Sequence, residues 1–149
     1  MITVLCVLKS GGVYDADWVA KLKRGVDKHL SLEHRFACLS DVDVQCERIP
    51  LKHDWPGWWS KLELWRPGVI RGETLYLDLD TIITGRMDAV IDKCRDFQFC
   101  MLENFNDESF VGSGLMWFGD KPQEGVYERF VDDPQRVMDY YERSKRGSY

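Results

Sequence analysis

The chain has 149 residues, 44% of them apolar and 30% charged, with a formal net charge of −5. That length is normal for one domain and long enough to bury a real core. With no basic stripe or Lys/Arg run, the charge argues against a nucleic-acid partner, and no apolar stretch is long enough to span a membrane.

Five cysteines, an odd number, occur with no Cys-x-x-Cys, so neither a disulfide framework nor a zinc site is expected. Cys6, Cys38 and Cys100 lie in apolar runs and read as buried thiols. A reduced, cytoplasmic setting fits. Residues 1–8 are too short for a signal-peptide core and lack a basic leader.

In chain order, Ile2–Leu8 is a continuous apolar run, which reads as a buried strand. Lys9-Ser10-Gly11-Gly12 breaks it. Asp15 or Asp17 is placed to cap a helix with the apolar stripe Trp18, Val19, Leu22, Val26 and Leu30. Arg35–Leu39 is a second strand, so the chain opens as β-loop-α-β, the start of a parallel sheet. Residues 41–57 read mostly as loop, with an apolar-Pro step at Ile49-Pro50-Leu51. Trp58–Trp65 is a short helix stopped before Pro67. Thr74–Leu79 is the central strand, with Thr81–Thr84 continuing extended. Met87–Cys94 is a short helix, Phe97–Leu102 a strand, and Glu103–Ser109 a polar loop. Gly112-Ser113-Gly114 opens a last strand, Leu115–Phe118. Two amphipathic segments follow, one with Val126, Tyr127, Phe130 and Val131, the other after Pro134 with Val137, Tyr140 and Tyr141. The expected architecture is a three-layer α/β/α domain with a mostly parallel, Rossmann-like sheet. In such sheets ligands sit beyond the carboxyl ends of the strands. The loops 9–14, 40–41 and 78–81 would share that rim, and loop 103–114 is a candidate to join them.

Leu75-Tyr76-Leu77-Asp78-Leu79-Asp80-Thr81 is the most informative segment. Two carboxylates where a core strand meets a loop are costly unless a cation neutralises them. Asp78 and Asp80 are therefore candidates to hold Mg²⁺ or Mn²⁺ against a diphosphate; the plainer alternative is a strand-end pair capping loop amides. Asp15/Asp17 and Asp41/Asp43 repeat the triplet without its apolar flanks. Lys61 sits at the edge of the face formed by Trp58, Leu62 and Trp65, placed either to reach a phosphate or to snorkel into water. Lys9 to Gly12 offers amides to a nucleotide, and Tyr14 a ring for a base. Ser113 and Gly114 permit close approach of a ligand. Trp55, Trp58, Trp59 and Trp65 crowd a short stretch; tryptophan faces bind sugars well, but several of these must be core. The histidines His29, His34 and His53 show no ligand spacing, and His29 reads as a surface residue.

Taken in order, the first strand, the glycine-containing loop with Tyr14, Trp59-Ser60-Lys61-Leu62 and Leu75–Thr81 resemble the nucleotide-sugar-binding half of GT-A fold glycosyltransferases, especially glycogenin-like and related bacterial sugar transferases. The resemblance covers roughly residues 1–120. It implies a metal-dependent transfer of sugar from a nucleoside-diphosphate sugar to an unknown acceptor (saccharide, lipid or protein). By it, Asp78 and Asp80 bind Mn²⁺ or Mg²⁺, directly or through the ribose, Lys61 approaches the donor and Tyr14 faces the base; Asp80 is the candidate catalytic residue, and Lys9, Asp41, Asp78, Ser113 and Gly114 complete the candidate donor-binding set. Glu103 and Asn104 are further candidates for sugar contacts. The family's Asn-Ser-Gly reads Gly112-Ser113-Gly114 here, and no histidine follows His53, where the family commonly has a later one on the metal. The chain thus reads as a single donor-binding domain, truncated at its C-terminus or reduced. Two rivals use the same residues. One is a haloacid-dehalogenase-type phosphohydrolase, with Asp78 as nucleophile, Asp80 as general acid and Asp132-Asp133 as a late acidic pair. The other is an inactive sugar-nucleotide-binding module.

Overall fold

The computed structural model describes residues 1–104, 110–121 and 123–146, with side chains to residue 144. Its six-stranded sheet has the order β3-β2-β1-β4-β6-β5. The strands are β1 (Ile2–Leu8), β2 (His34–Ser40), β3 (Glu47–Pro50), β4 (Thr74–Leu77), β5 (Phe99–Glu103) and β6 (Val111–Phe118). The helices are α1 (Ala16–His29), α2 (Asp88–Cys94), α3 (Val126–Asp132) and α4 (Pro134–Arg146), with a 3₁₀ helix over Gly57–Trp65. Strands β1 to β4 run parallel, and β6 lies antiparallel to both β4 and β5.

β1 is buried along its whole length because it has a parallel neighbour on each edge and packed layers on both faces. That is why it is a continuous apolar run and not an alternating one. The pleat sends Ile2, Val4, Cys6 and Leu8 toward α1 and α2, where they meet Val19, Leu22, Val26 and Ile91. Leu5 and Val7 face the opposite layer and pack with Leu64, Val69 and Ile70. Asp15 caps α1 by accepting from the Asp17 and Trp18 amides. Of the expected stripe only Trp18 is half-buried; Val19, Leu22, Val26 and Leu30 are core. His29, expected at the surface, is half-buried, and its carbonyl accepts from the Met87 amide.

Four expectations are corrected. Residues 41–57 contain β3, a strand too short and too exposed to show a hydrophobic pattern, which pairs with β2 from Ala37↔Glu47 to Ser40↔Pro50. The segment at 58–65 is a 3₁₀ helix that starts at Gly57. The central strand ends at Leu77, and Thr81–Thr84 is irregular, because the Thr81 amide closes a turn onto the Asp78 carbonyl (3.1 Å). The last strand takes in the whole glycine stretch and begins at Val111. Of the polar loop expected at 103–109, residues 105–109 lie outside the described residues.

Candidate functional site

The strand order reverses between β1 and β4: the chain moves outward from β1 to β2 and β3, then returns to the other side at β4. A crevice opens at such a point beyond the carboxyl ends of the two strands. Here it is a cavity of about 300 Å³, bordered by Lys9, Gly12, Val13 and Tyr14 from the loop after β1 and by Asp78 to Asp80 from the turn after β4. The 3₁₀ helix supplies the third wall through Trp58 and Lys61. Gly57 on the cavity wall (φ 53°) and Gly11 in the loop after β1 (φ 87°) occupy left-handed backbone. Glycine adopts that backbone without the strain a Cβ would add.

Asp78 is the hub. Lys61 Nζ lies 2.7 Å from its Oδ1 and 2.9 Å from its Oδ2, and also donates to Ser113 Oγ (3.2 Å). The Tyr76 hydroxyl donates to Oδ1 at 2.5 Å. The Asp78 amide donates to the Gly114 carbonyl (2.9 Å), so β6 anchors the strand end. Lys61 also stands over the Tyr76 ring, 5.6 Å from its centre. Burial, with the charge of Asp78 beside it, pushes the Tyr76 phenol well above its ordinary pKa, so it remains a proton donor. A Cβ on Gly114 would stand 3.6 Å from Asp78 Oδ2, in ordinary contact. The glycine's part is its carbonyl, with no steric need for a bare Cα.

Asp80 is exposed and accepts a hydrogen bond from Tyr14 (3.0 Å), which holds the Tyr14 phenol above its usual range. The Tyr14 ring packs edge-on against Trp18 at 5.1 Å, so α1 fixes the tyrosine that orients Asp80. Lys9 is neutralised twice, by Asp41 (2.6 Å) and Asp54 (2.9 Å). Asp41 also accepts from the Ser10 amide and hydroxyl. It therefore braces the loop after β1 from behind and is not a wall of the cavity. Partial burial pushes its carboxyl up, but these donors outweigh it and bring the pKa down to about 2.

The structure thus brings together Lys9, Tyr14, Lys61, Asp78, Asp80 and Ser113, with Gly114 beneath. Glu103, the last residue of the edge strand β5, and Asn104 just after it stand at the same end of the sheet, outside the cavity wall. Asn104 is tied by its amide to the Phe110 carbonyl (3.0 Å). His53 stacks on Trp55 at 4.1 Å and bonds the Tyr127 hydroxyl at 2.7 Å, a packing role. Sequence reasoning missed Tyr76 and Asp54. Tyr76 was accessible, since the residue two before a strand-end carboxylate shares its face. Asp54 lies in a loop with no periodic signal.

Among the described residues, no third His, Cys, Asp or Glu joins Asp78 and Asp80 in a metal-binding group. Two carboxylates suffice for Mg²⁺ or Mn²⁺ only when water and substrate phosphate oxygens complete the shell. On that donor set the pair fits a cation that arrives with a diphosphate.

No protein-family profile matches the chain, and neither does any curated protein sequence. Solved structures do resemble it. The galactosyltransferase LgtC, in complex with donor and acceptor sugar analogs, aligns with TM-score 0.65 at 11% identity over 92% of this chain and 65% of that one. The apo form of glycosyltransferase GlyE from Streptococcus pneumoniae TIGR4 aligns with TM-score 0.63 at 12% identity, over 87% of this chain and 37% of that one. A second GlyE structure gives 0.62 and 11% over 99% and 40%. The chain therefore spans from over a third to just under two thirds of these proteins, and at such identities the likeness is one of fold. Mixed α/β, with a mostly parallel six-stranded sheet and a cleft at its switch point, the chain has the GT-A fold of these glycosyltransferases.

Proposed function

We propose that this domain binds a nucleoside-diphosphate sugar and serves its transfer to an acceptor, a saccharide, lipid or protein. The observation that carries the reading is the position of Asp78 and Asp80. They face the switch-point cavity beside Lys61, in a fold shared with sugar transferases. In this reading Asp78 and Asp80 hold Mn²⁺ or Mg²⁺. When bound, the cation would offset charge on the departing diphosphate. Lys61, within reach of Asp78 and Ser113, swings its ammonium to a phosphate oxygen. Tyr14 keeps Asp80 oriented, and Lys9, Ser113 and Gly114 line or support the donor's path. Asp41 contributes by fixing Lys9. Holding donor and acceptor side by side supplies the proximity gain. Glu103 and Asn104 are the weaker candidates, at the rim where an acceptor would approach. The cytoplasmic setting belongs to the same reading. It is supported by five free thiols. No helix among the described residues is long and apolar enough to cross a membrane.

The phosphohydrolase alternative finds less support. Its late acidic pair, Asp132 and Asp133, lies at the α3–α4 junction, where Asp133 accepts from the Arg136 amide (3.1 Å) at the start of α4. Its nucleophile, Asp78, is held on both oxygens by Lys61. Titration calorimetry with UDP, GDP and CDP, each with and without Mn²⁺, tests the proposal. Metal-dependent binding of one of them, lost in Asp80→Asn, is expected; absence of such binding for all three would sink it. An inactive binding module would show that binding and no sugar transfer.

A further inference from the structure

Four tryptophans sit between residues 55 and 65, and their surroundings differ. Trp55 is 7% exposed, with His53 stacked on it and Phe130 edge-on at 4.7 Å. Trp65 packs on Phe118 at 5.5 Å, and Trp59 stacks on Phe130 at 5.5 Å. Trp58 alone of the four lines the switch-point cavity, and it is 50% exposed. It is also braced. Trp59 stacks behind it at 4.6 Å, and Tyr141 of α4 meets it edge-on at 5.0 Å. A half-exposed indole held from two sides presents a fixed apolar face to whatever enters.

Lys61 follows Trp58 by three residues. In a 3₁₀ helix residues i and i+3 eclipse, offset by about 6 Å along the axis. A flat apolar face and an ammonium so spaced suit a ligand whose ring and phosphate are one ribose apart. The transferred sugar is bonded to phosphate directly and fits that spacing less well. Val13, 85% exposed, adds apolar surface to the same cavity from the loop after β1. The pieces come from segments distant in sequence, and α4 supplies the brace.

Tyr14, the ring the sequence offered to a base, is engaged with Asp80 and Trp18; building on the donor-binding reading above, we infer that Trp58 is instead the stacking platform for the donor's nucleobase, held in place by Trp59 and Tyr141, and so contributes to selection of nucleoside over bare diphosphate. The test is calorimetry in the presence of Mn²⁺ on the full chain. It compares inorganic pyrophosphate with whichever of UDP, GDP and CDP the wild type binds most tightly. Trp58→Ala is expected to weaken the nucleotide roughly tenfold or more, the scale of one base–aromatic stack, and to leave pyrophosphate within about twofold. Trp58→Phe, which keeps a ring, is expected to retain most of the nucleotide affinity. Circular dichroism and the pyrophosphate titration report whether each variant is folded. Nucleotide binding within about twofold of wild type in Trp58→Ala would overturn the inference. Equal loss for both ligands would also overturn it. If the wild type binds pyrophosphate with Mn²⁺ and no nucleotide more tightly, the base platform falls while the metal-diphosphate site stands. If it binds neither, the donor-binding reading falls with it.

Discussion

Glu63 sits on the 3₁₀ helix that carries Trp58 and Lys61, and its carboxylate is completely buried. It forms an ion pair with Arg66, itself 7% exposed, and accepts from the backbone amides of Lys52 (2.9 and 3.0 Å) and His53 (2.8 Å). Arg66 in turn donates to the Pro50 carbonyl (3.1 Å). One carboxylate thus staples the segment after β3 to the helix that walls the cavity. Glu63→Ala would leave a buried guanidinium with only a carbonyl partner and two amides without acceptors. Breaking a buried ion pair from one side costs about 3–5 kcal/mol. Each unsatisfied amide adds about 1 kcal/mol or more, less whatever water recovers in the new space. We expect a loss of roughly 4 kcal/mol in urea denaturation, and a melting temperature lower by roughly 8–16 °C for a chain of this size. Arg66→Met is expected to cost less, because the carboxylate would keep its two amide donors. A loss below about 1 kcal/mol for Glu63→Ala, or the reverse order of the two variants, would show that the staple is not what holds this wall.

Lys61→Met removes the ammonium that spans both oxygens of Asp78. Affinity for Mn²⁺ alone should rise, by roughly tenfold if the ion pair and the metal compete for one carboxylate, while nucleoside diphosphate affinity falls. Paramagnetic resonance of free Mn²⁺ measures the first, and an unchanged value would refute the competition. Asp41 has a carboxyl lowered in the folded state to about 2. Its contribution is therefore present above the ordinary carboxylate range and is lost as pH falls from about 4 toward 2. Because the residue is largely exposed, the contribution should be below about 1 kcal/mol. Asp41→Asn should remove that part of the acid limb in pH-dependent melting; an acid limb identical to wild type would contradict it. Tyr14→Phe deletes the donor to Asp80 without disturbing the packing on Trp18. It should weaken metal-dependent nucleotide binding several-fold with stability nearly unchanged, and equal binding would show that Asp80 needs no such orientation.

Much of the fold was legible because the sheet imposes simple patterns. β1 is fully buried, so it shows as an unbroken apolar run, and α1 faces one layer, so its stripe is plain. β3 was invisible because an exposed edge strand of four residues buries almost nothing. The end of β4 was misplaced because a turn at Asp78 interrupts a run of residues that are apolar on both sides of it.

The site divides the same way. Sequence singled out Asp78 and Asp80 as the candidate carboxylates, since only they combine a paired charge with a core strand. It also marked Lys61 as the nearby cation and four tryptophans as a cluster. Tertiary structure alone decided their partners. The strand order sets the ends of β2 and β1 side by side, which turns Asp41 into a brace for Lys9, and sets β6 beside β4, which brings Ser113 to Lys61. The packing of α3 and α4 buries Trp55 and leaves Trp58 facing the cavity. Local sequence specifies what a residue is and which face of its element it takes. Which distant element lies opposite is settled only when the apolar faces close on one another.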